Sequence, residues 1–89
     1  MAIMTKHELK RLSNELRETR RYITKNVPVT LSSLARIDES LKDVALPQID
    51  RLRENLKIAA KYIQVEPDLC RAYLDASAFE LDCLEANLH

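Results

Sequence analysis

Eighty-nine residues carry fourteen basic and fourteen acidic side chains, so the net charge is zero and no overall field draws in nucleic acid or an acidic membrane. Hydrophobic residues make up 46% of the chain, which excludes disorder throughout, and the length fits one domain over residues 1–89. Glycine is absent, which disfavours tight β-turns and glycine-rich nucleotide-binding loops. Strong helix formers dominate the composition, which therefore predicts an all-α fold.

The first helix is predicted over about residues 5–26. Thr5 and Glu8 have the spacing of a capping box, in which each residue's side chain bonds the other's backbone N–H. Apolar and small residues then recur at spacings of three and four, which predicts a narrow buried seam. Asn26 and Pro28 mark the predicted end, because the residue before proline is disfavoured in a helix. The seam comprises Leu9, Leu12, Leu16, Thr19 and Ile23.

Two buried stripes follow, separated by Pro47. Thr30 is the predicted N-cap of a helix over about residues 31–45, and a further helical segment covers about 47–64. A proline inside a helix removes one backbone hydrogen bond and clashes with the preceding turn. The sequence predicts a kink or a break around Ala45–Pro47 and leaves both open. The stripes are Leu34, Ile37, Leu41 and Val44, then Ile49, Leu52, Leu56, Ala59 and Ile63.

The last helix is predicted over about residues 67–87, with Pro67 in its first turn and a seam of Cys70, Leu74, Ser77, Leu81, Leu84 and Leu88. The complete pattern predicts an antiparallel bundle of three helices, or four if Pro47 breaks the second. A core of this size with only four aromatic residues is marginal alone, which favours a homodimer.

Residues with catalytic or metal-binding chemistry are sparse. His7 and His89 lie at opposite ends of the chain, and neither has a cysteine or carboxylate at metal-ligand spacing. Cys70 and Cys83 stand thirteen residues apart in one predicted helix, about 20 Å at helical rise, too far for a disulfide. We therefore expect two buried free thiols, no catalytic residue, no metal and no cofactor. Without a signal peptide or a long apolar span, a cytoplasmic location and no membrane association are expected.

Charge is distributed unevenly along the chain. Residues 1–26 carry seven basic and three acidic side chains, net +4, whereas residues 66–89 carry one basic and six acidic ones, net −5. Six basic residues of the first helix share an arc of about 140° without an acid. This basic face could bind an acidic protein surface or a phosphate backbone, or pair with the acidic last helix. It comprises Lys6, Lys10, Arg17, Arg20, Arg21 and Lys25.

A second apolar strip runs along the last helix, outside its leucine seam. Its members are Ala72, Ala76, Phe79 and Cys83. A surface helix needs only one apolar stripe, so the second one predicts a further contact. The contact is either another face of the bundle or an interface with a partner or a second subunit.

These patterns together indicate function by binding rather than by catalysis. The predicted role is that of an adaptor, chaperone-like cofactor or inhibitor that binds a larger protein, as small bacterial and phage regulators often do. The alternative is a nucleic-acid-binding regulator that uses the basic face of the first helix.

Overall fold

Helix α1 begins at the predicted capping box. In the computed structural model, which describes residues 4–44 and 46–87, α1 spans Lys6–Arg20. The backbone N–H of Glu8 donates to Oγ1 of Thr5 at 3.1 Å, and the N–H of Thr5 donates to the Glu8 carboxylate at 3.4 Å. Each side chain accepts a hydrogen bond from the other residue's backbone N–H, which confirms the predicted start of the helix.

The predicted end of α1 at residue 26 is wrong. The α-helix stops at Arg20, and residues 21–25 form a turn. Its backbone hydrogen bonds shorten to three-residue spacing, from the N–H of Tyr22 to the carbonyl of Thr19 and from the N–H of Lys25 to that of Tyr22. This tighter winding ends the helix within one turn and reverses the chain without glycine.

Helix α2 spans Val27–Leu41, so its predicted start at residue 31 is also wrong. Asn26 is the N-cap, and its Oδ1 accepts a hydrogen bond from the N–H of Val29 at 3.2 Å. Pro28 lies in the first turn, where its missing N–H removes no intrahelical bond. A proline there is compatible with the helix that follows it.

Thr30 is therefore not an N-cap. It lies inside α2 and is buried, with Oγ1 at 3.1 Å from the carbonyl oxygen of Tyr22 and 2.9 Å from that of Asn26. The hydroxyl links the turn after α1 to the first turn of α2. Capping patterns in the sequence do not predict this bond, because it joins two different segments.

Pro47 separates two helices, so the described residues contain four. Helix α2 ends at Leu41, short of the predicted boundary at residue 45, and Ala45 lies outside the described residues. Leu46 adopts extended backbone angles as the N-cap of α3, which spans Pro47–Tyr62 rather than 47–64. Proline at the first helical position fits a helix start. Helix α4 spans Pro67–Asn87 and confirms its predicted bounds.

Each helix runs antiparallel to its neighbours in an up-down-up-down bundle. Ser13 hydrogen-bonds with Asp82 and Arg20 pairs with Asp75, which fixes opposite directions for α1 and α4. Helix α2 packs against α1 and α3, and α4 packs against α3 and α1. Within the described residues the molecule measures 38 × 19 × 18 Å.

The core lies where the seams predict it. All predicted seam and stripe residues within the described ranges are buried except Leu84, which is partly buried against the core; Leu88 lies outside those ranges. Two buried polar residues, Thr30 and Ser13, do not belong to the predicted seams, and each forms a hydrogen bond. The core includes Leu9, Leu12, Leu16, Ile23, Leu34, Ile37, Leu41, Val44, Ile49, Leu52, Leu56, Ala59, Ile63, Cys70, Leu74, Ala78 and Leu81.

Candidate protein-binding surface

A buried serine joins the basic face of α1 to α4. The Ser13 hydroxyl donates to Oδ1 of Asp82 at 2.7 Å and lies 3.4 Å from the carbonyl oxygen of Ala78. Arg17 donates to Oγ of Ser13 at 2.6 Å and forms an ion pair with Asp82. The small side chains of Ser13 and Ala78 allow the two helix backbones to approach closely at this point.

The ion pair between Arg17 and Asp82 stabilises the charged form of both groups. The hydrogen bond from Arg17, with a smaller one from Ser13, lowers the pKa of Asp82 below its ordinary value despite partial burial. The same hydrogen bond raises the pKa of Arg17. The folded protein keeps Asp82 ionised to lower pH than the unfolded chain does. Its stabilising effect is therefore complete above the unfolded pKa and is lost as the pH falls through the folded pKa.

Half of the residues of the predicted basic face form ion pairs within the molecule. Besides Arg17, Arg20 pairs with Asp75 of α4 at 2.8 Å, and Arg21 pairs with Glu18 at 3.4 Å. The remaining members, Lys6, Lys10 and Lys25, are exposed, and no ion pair of theirs occurs among the described residues. Acids of α4 thus border the middle of the basic face, and its unpaired charges lie near the two ends of α1.

The second apolar strip of α4 lies on the surface of the bundle. Phe79 is 66% exposed, Ala72 and Ala76 are exposed, and Cys83 is partly buried. These residues point away from the seam of Leu74 and Leu81 that fills the core. Of the two contacts that the sequence left open, an internal bundle face does not fit this exposure.

The apolar strip is longer than the sequence analysis predicted. Leu69, partly buried, and Ala86, exposed, continue it at the same alternating spacing of three and four. This spacing is the heptad pattern of helices that pack side by side, and it was visible in the sequence beside the stronger leucine seam. We call the complete set the outer strip of α4. It extends for about 26 Å at helical rise within an arc of about 100°: Leu69, Ala72, Ala76, Phe79, Cys83 and Ala86.

Acidic side chains border the outer strip on both sides. In heptad terms, Asp68, Asp75 and Asp82 occupy the g positions and Glu80 an e position. The other e positions within the helix, Tyr73 and Asn87, are uncharged. Three of these acids form ion pairs within the molecule: Asp68 with Arg71, Asp75 with Arg20 and Asp82 with Arg17. Neighbouring arginines therefore balance the charges of the three aspartates, and Glu80 has no ion pair among the described residues.

The two cysteines differ in their surroundings. Both are free thiols in α4, in accordance with the prediction that they do not bridge each other. Cys70 is buried in the core, and desolvation raises the pKa of its thiol, so it is a poor nucleophile. Cys83 is only partly buried, because it belongs to the outer strip, and the prediction that both thiols are buried is wrong for this residue.

Other exposed apolar residues lie around α2 and in the connections before α3 and α4, where Leu46 is 44% and Val65 is 74% exposed. Tyr22 and Val29, which are 42% and 52% exposed, line a groove of about 170 Å³ between α1 and α2. The ion pair of Arg36 with Glu15 crosses this groove at 3.6 Å. On the far side of α2, Leu31 borders a groove of about 220 Å³ against α3. Both are short grooves with charged rims, unlike the uninterrupted strip on α4.

No metal site or membrane span occurs in the described part of the chain. No group of three or more His, Cys, Asp or Glu side chains there could hold a metal ion. None of the described helices has the length and apolar character needed to cross a membrane. His7 is exposed in the first turn of α1, and His89 lies outside the described residues.

Comparison with known proteins gives no family for this chain. No protein-family model matches it, and neither a curated protein nor a solved structure shows a significant match.

Proposed function

We propose that this protein is a non-catalytic binding module that docks on a larger protein through the outer strip of α4. It would act there as an adaptor, a chaperone-like cofactor or an inhibitor. The observation that carries the proposal is the 66% exposure of Phe79 in the middle of an uninterrupted apolar strip on the longest helix. Contiguous exposed apolar surface of this kind marks interaction sites.

The composition of the outer strip suits a helical contact. A few side chains contribute most of an interface's binding free energy, and aromatic residues are enriched at the centres of interfaces. Phe79 supplies the aromatic anchor, and Ala72 and Ala76 let a partner approach the backbone of α4. None of these residues is needed to fill the core of the bundle, which Leu74 and Leu81 occupy from the opposite side.

The basic face of α1 supports a nucleic-acid function less well. Arg17 and Arg20 already pair with aspartates of α4. A phosphate backbone following α1 would meet those carboxylates beside each arginine. Binding through counterion release depends on the number of basic groups available to phosphates, and pairing reduces that number. Direct binding assays at physiological salt test this alternative.

The expected cytoplasmic location remains part of the proposal. Two free thiols in α4, with no disulfide among the described residues, are compatible with a reducing compartment. Fractionation of the source cells measures the location of the protein.

Replacement of Phe79 by glutamine tests the proposed surface. We expect the tagged wild-type chain to retain a specific protein from its source cells and the Phe79→Gln variant to lose most of it. The reason is that the change removes the apolar anchor at an exposed position without adding charge. Truncation of an interface anchor weakens binding by about 2 kcal/mol or more. Affinity capture after nuclease treatment, with quantitative mass spectrometry, measures the difference.

The matched control is Val29→Gln on α2. Val29 is also exposed and apolar, at 52%, but lies away from α4. Wild type and Val29→Gln should retain the same protein in equal amounts. Equal retention by Phe79→Gln would overturn the proposal.

A further inference from the structure

We infer that a second copy of this chain covers the outer strip of α4 while no larger protein is bound, in an antiparallel pair that the partner displaces. The displacement rests on the proposed function, because it describes how the same surface becomes available to the larger protein. The pair is a specific form of the homodimer that the small core favours.

The side chains of the outer strip complement a reversed copy of the same strip. When two copies run antiparallel about a two-fold axis midway between Ala76 and Phe79, Phe79 of each copy lies opposite Ala76 of the other. Each level of the pair then places a larger side chain against a smaller one, as a symmetric interface between identical patches requires. The levels are Leu69 with Ala86, Ala72 with Cys83 and Ala76 with Phe79.

A parallel pair of the same strips fits less well. In register, it would place the two Phe79 rings against each other and each of Ala72 and Ala76 against its own counterpart. One level would be overpacked and the alanine levels would leave gaps, and both defects lower the stability of a packed contact. The antiparallel pair instead distributes the large side chains evenly along the contact.

The charges on one side of the strip are compatible with the antiparallel pair. Asp75 of one copy would lie within about 3 Å, measured along the helix axis, of Asp82 of the other. Within its own copy, Asp75 already pairs with Arg20, and Asp82 pairs with Arg17. Two ion pairs therefore meet at this point rather than two free carboxylates, so attraction to the arginines offsets repulsion between the aspartates.

The opposite side of the strip supplies a polar contact. Glu80 is partly buried and has no ion pair among the described residues. In the antiparallel pair it would lie within about 3 Å, along the helix axis, of Tyr73 of the other copy. A phenol hydroxyl donates hydrogen bonds and a carboxylate accepts them. Two symmetric bonds from Tyr73 to Glu80 would therefore flank the apolar contact.

The pair should be weak, because the contact is confined to α4. The strip has six residues in each copy, whereas a stable interface contains about 20–30 residues on each side. We therefore expect a Kd in the micromolar range or above, on the order of that of transient complexes. A pair of this affinity covers the strip of the free chain at high concentration and yields to a larger protein that contacts more surface.

Exchange of the large and the small residue tests the pairing. Phe79→Ala leaves alanine opposite alanine, and Ala76→Phe places two rings at one level, so each single variant should raise the Kd of the dimer by roughly tenfold or more. The double variant, Ala76→Phe with Phe79→Ala, again has one ring opposite one alanine and should return to within about threefold of the wild-type Kd. Sedimentation velocity up to millimolar concentration measures the dimer, and circular dichroism measures folding of each variant. Val29→Gln is the control that should leave the Kd unchanged.

An introduced thiol tests the antiparallel register. Ala72→Cys places a cysteine opposite Cys83 of the other copy, so mild oxidation should give a covalent dimer with bonds between positions 72 and 83. Within one chain these positions are about 16 Å apart at helical rise, too far for a disulfide. The wild type should form no disulfide under the same conditions, because the two Cys83 thiols of an antiparallel pair are also about 16 Å apart along the axis.

Separate outcomes contradict the pairing, its register and the displacement. A wild type that is monomeric at millimolar concentration overturns the inference, as does a double variant that does not recover dimerisation. A disulfide between two Cys83 residues of the wild type overturns the antiparallel register. In the capture experiment, the oxidised Ala72→Cys dimer should retain much less of the partner than its reduced form, and equal retention overturns the displacement. Sedimentation decides the pairing and capture by Phe79→Gln decides the proposed surface, so either can fail alone.

Discussion

Leu16→Ala, Leu52→Ala and Leu81→Ala should each lower the free energy of unfolding by about 2–5 kcal/mol. All three side chains are fully buried, one each in α1, α3 and α4. Truncation removes apolar contacts and leaves a cavity that the neighbouring helices only partly close. A domain of this size has a total stability of only several kcal/mol, on the order of 0.1 kcal/mol per residue, so the most destabilised variant would be partly unfolded at 25 °C.

Urea unfolding followed by far-ultraviolet circular dichroism measures these losses. The matched control is Leu31→Ala in α2, where the leucine is 38% exposed. This change should cost about 1 kcal/mol or less, as exposed positions usually do. Losses near 0.5 kcal/mol at all three core positions would mean that the buried faces of the helices are wrongly assigned.

Ser13→Leu should destabilise the protein by about 2–4 kcal/mol, from overpacking together with lost hydrogen bonds. Ser13 is 1% exposed and lies where α1 crosses Ala78 of α4. A leucine has no space there, so it would force the two helices apart and disturb the ion pair of Arg17 with Asp82. The same unfolding experiment measures the effect.

Two further variants separate shape from hydrogen bonding at this position. Ser13→Ala keeps the close approach and loses only the hydroxyl, so it should cost about 1 kcal/mol. Asn14→Leu places the same leucine at the exposed neighbouring position and should have little effect. If Ser13→Leu were no more destabilising than Ser13→Ala, the two helices would not approach closely at Ser13.

The sequence predicts the buried faces better than the helix ends. Spacings of three and four placed the core residues of all four helices, because burial of one face is a local property of an amphipathic sequence. The capping box at Thr5 was also predictable, since both of its residues lie within one turn. Pro47 marked the boundary of α3, although periodicity alone did not distinguish a kink from a break.

The connection between α1 and α2 was not predictable in the same way. Asn26 and Pro28 predict the end of one helix, but proline in a first turn is equally compatible with the start of another. Asn26 and Thr30 both have capping side chains, and local patterns do not say which one caps. The choice depends on the bond of Thr30 to the carbonyl of Tyr22, which forms only when the chain reverses.

The candidate surface, too, was only partly predictable from the sequence. The strip of Ala72, Ala76, Phe79 and Cys83 was visible as a second apolar stripe, but its exposure depends on which face of α4 the other helices cover. The basic face was visible in α1, but the pairing of Arg17 and Arg20 with α4 joins residues more than fifty positions apart. Charge patterns within one helix do not contain that information.

Site-specific photo-crosslinking tests whether the outer strip of α4 is the binding surface. The photoreactive amino acid p-benzoylphenylalanine would replace Phe79, Val29 or Lys10 in three separate variants expressed in the source cells. These positions sample the outer strip, α2 and the basic face of α1. We expect a discrete crosslink to one other protein from position 79 and none from positions 29 and 10. A crosslink from position 10 or 29, with none from position 79, would contradict this expectation.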